Sequence, residues 1–340
     1  MYLKTIGEKL IFIIGLITVP LIVAGICLGV GRFSLSLFDG IKIIYSIITN
    51  GRESVAANEY SVLVNMRLPR IILAMICGGG LAVAGVGLQA VFSNPLVSPD
   101  TLGVASGASF GAALSLLFRA NMITVQFSAL CFGLLACFLT YILADIRGAK
   151  KTIMLILSGL VISSLFQAMV SLVKYVADTE EILPSITYWL MGSLYTSNYK
   201  SIILGTPSIL IAVSILLLIR WKMNVLSLTE DEAKSLGMNI QYMRMPVIIC
   251  SAMITSSVVS MCGQIGWVGL LIPHICRMLF GSDTSKVIPA SISIGATFLL
   301  LVDTLSRSVA VTEIPVSLLT AVIGAPLFLS LLRRAERRLS

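Results

Sequence analysis

Residues 67–100 read RLPRIILAMICGGGLAVAGVGLQAVFSNPLVSPD, and between Arg70 and Asp100 no residue carries a charge. A helix crosses a bilayer with about 20 mostly apolar residues, so 71–99 is long enough for a crossing. The same scan outward finds uncharged runs at 10–31, 101–118, 120–144, 152–173, 201–219, 245–276, 287–302 and 314–332. The run at 245–276 is too long for one crossing, and Gly263-Gln264-Ile265-Gly266 divides it into two. The composition agrees: of 340 residues, 57% are hydrophobic and 12% charged, with mean hydropathy +0.99. Soluble domains carry about 25% charged residues, and disordered chains are poor in apolar residues. The expectation is an all-α polytopic membrane protein of about ten transmembrane helices, forming a single domain over 1–340.

A further uncharged run, 182–199, is rich in Pro, Gly, Ser, Thr and Asn, which suits a short surface or re-entrant helix within an external loop at 177–199. A second external loop is expected at about 33–60. The first apolar run exceeds a signal-peptide core, and Arg32 follows it without a small-residue cleavage site, so it counts as a crossing. Lys and Arg set the orientation. With both termini cytoplasmic, the inner side collects Lys4, Lys9, Arg147, Lys150, Lys151, Arg220, Lys222, Lys234, Arg244, Arg277, Lys286, Arg333, Arg334, Arg337 and Arg338, 15 of 24. The +8 net charge therefore reports topology rather than a nucleic-acid partner.

Catalytic motifs are weak. Gly107-Ala108-Ser109-Phe110-Gly111 fits G-x-S-x-G, but that motif needs a strand before it and a helix after it. Gly103, Gly107 and Gly111 recur every fourth residue, and Gly25 and Gly29 repeat the spacing, which favours close helix packing. No G-x-x-x-x-G-K-[ST] phosphate loop occurs, and His274, the only histidine, follows Pro273 as a helix-end hydrogen bonder. Seven cysteines lie in apolar runs without a C-x-x-C pair, so neither a zinc site nor a disulfide framework is expected. No cofactor or metal is implied.

The charged exceptions carry more. Arg67 and Arg70 share a helix face opened by Pro69, and Arg307 lies near the same outer end. They either snorkel to lipid phosphates or form a basic docking surface. Asp303 can pair with Arg307 at i, i+4, and Glu313 suits the positive end of the last helix. Between crossings six and seven, the cytoplasmic segment 222–241 contains Thr229-Glu230-Asp231-Glu232, a capping box, and Gly237 as a helix stop. It predicts a short rigid helix at 230–236, fit to receive force from a separate motor.

An ordered set of motifs resembles the FecCD-type permeases, the membrane subunits of type II ABC importers for iron–siderophore, haem and cobalamin. It comprises Arg67-Leu68-Pro69-Arg70, Gly85, Gln89, Asn94-Pro95-Leu96, Pro99, Leu102-Gly103, Trp189-Leu190-Met191-Gly192-Ser193, Leu236-Gly237, Gly269-Leu270-Leu271-Ile272-Pro273-His274, Asp303, Arg307, Glu313-Ile314-Pro315 and Gly324-Ala325-Pro326. Ser93 stands where the family often has a basic residue.

The resemblance implies a non-enzymatic transport subunit in the bacterial cytoplasmic membrane, paired with a second permease chain as a homodimer or close heterodimer. Two copies of an ATP-binding subunit would power it, and an extracytoplasmic binding protein would deliver a metal chelate, most simply iron(III)–siderophore. Haem, cobalamin or an oxyanion are alternatives, and an ion-coupled secondary transporter is a remote one. By position, Arg67, Arg70 and Arg307 would dock the binding protein. Glu230, Asp231, Glu232, Ala233, Leu236 and Gly237 would couple to the ATPase. Asn94, Leu96 and Thr152 would form cytoplasmic gates.

Overall fold

A computed structural model describes residues 6–31, 37–144, 151–195, 198–228, 230–310 and 312–336. Thr229 of the capping box, and Lys4, Arg147, Lys150, Arg337 and Arg338 of the orienting set, lie outside the described residues. Among the described residues the regular structure is entirely helical. The ten expected crossings are α1 (Ile6–Gly29), α4 (Leu68–Val91), α5 (Val104–Leu117), α6 (Met122–Ala144), α7 (Lys151–Val176), α9 (Tyr199–Ile219), α11 (Ile240–Cys262), α12 (Val268–Phe280), α13 (Thr284–Ser308) and α14 (Val316–Glu336). Between them lie α2 (Leu37–Asn50), α3 (Ala57–Tyr60), α8 (Ile182–Leu190) and α10 (Glu230–Ser235). Seven described helices have the length and hydropathy to cross a bilayer, and three shorter apolar ones bring the number to ten.

The core is built on the helices with the most small residues. Of the apolar window in Ala57–Val91, 83% is buried, against 17% for Leu10–Gly29. α4 lies against α13 and α12 with almost no space between backbones. A Cβ on Gly78 would stand 2.3 Å from the Gly295 oxygen, and one on Gly85 1.8 Å from the Gly269 oxygen. Such seams let van der Waals contact replace the hydrophobic drive that lipid does not supply. Gly107 and Gly111 do the same for α5 against α6, facing Phe132 and Ser128. Gly103 is different: at φ +75° it makes the left-handed turn into α5 and faces Ile162 and Ser163 of α7. Gly25 meets nothing within 4 Å.

Three local expectations are corrected or qualified. The loop at 33–60 contains α2, whose Ile43 packs with Leu63 while Phe38, Ile41, Tyr45 and Ile48 form an exposed stripe. Asp39 and Lys42 interrupt the uncharged run there without interrupting the helical period. Pro69 stands in the first turn of α4 as expected, but helical backbone already precedes it. Residues from Ala57 to Val91 are continuously helical through a π-helical turn, Ser61–Arg67, in which the Leu68 N–H reaches back to the Leu63 oxygen. The wider turn accommodates the donor that proline lacks. His274 lies inside α12 with its ring against Phe328, and its Nε2 has no hydrogen-bond partner.

The predicted break between α11 and α12 is present, with Gly263 at φ +70° and a Cβ there blocked by the Trp189 oxygen at 2.2 Å. The short helix expected within 182–199 is α8.

Candidate functional site

Two ends of the molecule gather the residues singled out by sequence. At the outer end (the end that the Lys/Arg bias assigns to the exterior), the C-terminus of α1, the N-terminus of α4 and the C-terminus of α13 converge. Arg70 Nε donates to both Asp303 oxygens at 2.8 and 2.9 Å, and its Nη1 lies 2.9 Å from Glu313. Arg307 Nε stands 3.9 Å from Asp303 Oδ2, and its Nη2 donates to the Cys27 oxygen at 2.5 Å. Arg67 Nη1 donates to the Leu28 oxygen. Cys27 and Leu28 lie in the last turn of α1, so two guanidinium groups cap its negative end.

The three arginines are thus brought together as expected, but not as a bare basic surface. They are 5%, 7% and 9% exposed for Arg67, Arg70 and Arg307, and Asp303 is 0% exposed. The cluster also holds helix ends together across the outer face. Three cations face two carboxylates, and two buried donors, Arg70 Nη2 and Arg307 Nε, have no hydrogen-bond acceptor. Glu313 serves Arg70 rather than the start of α14, and Asp303 lies closer to Arg70 than to Arg307.

At the inner end, α9 leads through a 3-10 turn, Lys222–Ser227, to α10. α10 ends as predicted: Gly237 takes φ +73°, and the Met238 N–H returns to the Ala233 oxygen at 2.9 Å. Ala233 is fully buried, whereas Leu236 is 63% exposed and Gly237 has open space around it. Glu232 is exposed, and the side chains of Glu230 and Asp231 lie outside the described set.

Sequence reasoning missed what anchors this turn. Asn224 Nδ2 donates to Asp283 Oδ1 at 2.9 Å, and its Oδ1 accepts from the Thr284 N–H at 2.8 Å. Thr284 Oγ1 reaches the Arg220 oxygen at 2.6 Å, and Asp283 caps α13 by accepting from the Ser285 N–H. Burial pushes the Asp283 carboxyl up, but hydrogen bonds from Asn224 and Ser285 and the nearby Lys286 charge outweigh it and hold the group below the usual carboxylate range. An asparagine followed by helical residues gives no local sign of a partner 59 residues away.

The gate candidates occupy the link after α4. Asn94 Oδ1 accepts from the Leu96 N–H at 2.9 Å, a local turn that leaves Leu96 exposed. Ser93 Oγ donates to the Leu226 oxygen at 3.1 Å, tying the link to the turn before α10. Gln89 Nε2 holds it from within through the Val97 oxygen at 3.0 Å. Thr152 is half-buried near the start of α7, and among the described residues no hydrogen bond joins it to Asn94 or Leu96. Asp100 follows in the short 3-10 turn Pro99–Leu102, where burial of its carboxyl raises its pKa to about 6.

Ten apolar helices, with a charged cluster tying the outer helix ends and a short helix exposed at the inner end, make a multi-pass membrane domain. The match to the FecCD transport family spans residues 17–334, and the chain belongs to that family. It is 42% identical over 329 residues to the molybdate import system permease protein MolB of Haemophilus influenzae, covering 97% of this chain and 96% of that one. The Fe(3+)-citrate import system permease protein YfmE of Bacillus subtilis is 36% identical over 317 residues, covering 88% and 94%. Among solved structures, one provisionally described as a metal-chelate-type ABC transporter in an inward-facing conformation matches with TM-score 0.85 and 41% identity, covering 95% of this chain and 98% of that one. The chain is therefore the permease subunit of an ABC importer and not an enzyme. ATP hydrolysis belongs to a separate subunit, and a binding protein and a second permease chain complete the assembly.

Proposed function

We propose that the permease imports a metal oxyanion, molybdate, across a bacterial cytoplasmic membrane, working as a dimer with two ATPase copies. The observation that carries this reading is the 42% identity, sustained over nearly the whole of both chains, to a molybdate permease. A second reading, a ferric chelate such as iron(III)–siderophore, is supported by the likeness to the ferric citrate permease and to the metal-chelate-type transporter.

In either case α10 receives the ATPase stroke: Ala233 anchors it inward while Leu236 faces outward. The stroke reaches the outer end through α13, which begins in the Asn224–Asp283–Thr284 knot and ends in the Asp303–Arg307 cluster. Its 25 residues at 1.5 Å per residue make a rod of about 37 Å. Asn94, Leu96 and Thr152 close the inner gate. Acidic residues of the binding protein dock over the arginine cluster. Its excess of one positive charge, three guanidinium groups against Asp303 and Glu313, supports that contact. The test is competition in proteoliposomes holding permease, ATPase and binding protein. Labelled molybdate uptake should resist excess ferric chelate; uptake of labelled ferric siderophore without molybdate uptake would replace the first reading by the second.

A further inference from the structure

A cavity of about 570 Å³ opens at the inner end between α1, α9 and α13, within the range of small-molecule sites. Its walls include Leu16, Ile17 and Ile292, and its mouth carries Arg220, Trp221 and Lys286. Ile17 is 57% exposed on the side of α1 that turns away from the core, so the apolar wall continues into the lipid-facing surface. The Arg220 guanidinium carbon lies 4.0 Å from the centroid of the Trp221 ring, and its Nη1 donates to the Leu217 oxygen at 3.0 Å. Arg220 Nε is buried without an acceptor. Among the described residues no carboxylate forms an ion pair with Arg220. The neighbouring carboxylate, Asp283, is already engaged by Asn224 and Ser285 and feels the Lys286 charge.

Two cations and a tryptophan at the mouth of an apolar slot, at the depth where α9 and α13 reach the inner membrane surface, match one ligand chemistry. We propose that this cavity binds an anionic phospholipid of the inner leaflet, its phosphate between Arg220 and Lys286 and an acyl chain along Leu16, Ile17 and Ile292. Two juxtamembrane cations near an anionic headgroup give a preference of about ten-fold over a zwitterionic lipid. Trp221, 61% exposed, suits the headgroup level. The site lies where α9 passes into the turn before α10, so an occupied cavity would brace the Thr284–Arg220 contact. This claim does not depend on which substrate is carried.

The test reconstitutes the permease–ATPase complex in nanodiscs of phosphatidylcholine and titrates brominated phosphatidylglycerol against brominated phosphatidylcholine. With Trp189 and Trp267 changed to Phe, Trp221 is the remaining tryptophan of the permease chain, and the same complex with Trp221→Phe gives the background. Bromine quenching should favour phosphatidylglycerol about ten-fold, and Arg220→Gln with Lys286→Gln should reduce the ratio to near one. Native mass spectrometry of the complex with all its tryptophans, alone and with the Gln pair, gives the same comparison should the Phe variants fail to fold. Equal binding of both lipids, or an undiminished preference in the Gln pair, overturns the proposal. Loss of the preference in millimolar inorganic phosphate would reassign the site to free phosphate.

Discussion

The outer arginine cluster and the inner helix α10 are both partner-facing by sequence, yet they differ in what the fold leaves available. At the outer end Arg67, Arg70 and Arg307 are nearly fully buried and bonded to Asp303, Glu313 and carbonyls in the last turn of α1. At the inner end Leu236 is exposed and Gly237 stands in open space. Charge near a membrane surface can be consumed in holding helices together, whereas an exposed apolar residue on a capped helix remains free for another subunit. Outer variants should therefore act first on stability, and inner variants on coupling.

The largest effect that could break this contrast is at Arg70. Arg70→Gln leaves Asp303 buried opposite a neutral amide, and removing one partner of a buried pair costs about 3–5 kcal/mol. Thermal unfolding in detergent should show a large fall in midpoint. Arg70→Met with Asp303→Leu should fall less than Arg70→Gln, because the fully buried Asp303 carboxylate is not left without its closest partner. A wild-type midpoint for Arg70→Gln would return the cluster to the status of a loose surface patch.

Core packing gives the next step down. Gly85→Ala forces a methyl against the Gly269 oxygen, and overpacking of this kind costs about 1–3 kcal/mol. Gly25→Ala, with nothing within 4 Å, should leave the midpoint unchanged. Equal responses at the two glycines would show that the small-residue seam does not carry the core.

A smaller, pH-dependent effect belongs to Asp100. Its folded pKa of about 6 stands above the ordinary 3.8, so the fold favours the protonated form. Stability is then greatest below the ordinary value and falls as pH rises through about 6, after which it levels. Asp100→Asn should flatten that slope and raise stability at neutral pH, as followed by thermal midpoints from pH 4 to 8. An unchanged slope would remove Asp100 from the account.

Smallest in stability, though not in function, is Leu236→Asp. An exposed substitution changes stability by about 0.5 kcal/mol or less, yet ATP-driven uptake should be lost while the permease stays folded. Retained uptake would detach α10 from coupling.

The crossings were legible because lipid demands uncharged runs, and that demand is local in sequence. The turn at Gly263 and the stop at Gly237 were legible for a similar reason, since backbone geometry there selects glycine. Arg70 shows the limit. Its partner Asp303 is 233 residues away, so sequence spacing offered that acid to Arg307 at i, i+4 and not to Arg70, which it meets more closely. α2 escaped because two charges broke the uncharged run, while its helical period survived. Asn224 escaped because its role as a bracket on α13 exists only once α9 and α13 lie side by side.

The account rests on ATP-driven import through this chain, and proteoliposomes test it directly. With ATPase, enclosed ATP and external binding protein, labelled molybdate should accumulate only when ATP is present, whatever ion gradient is imposed. Accumulation driven by a proton or sodium gradient without ATP would contradict it.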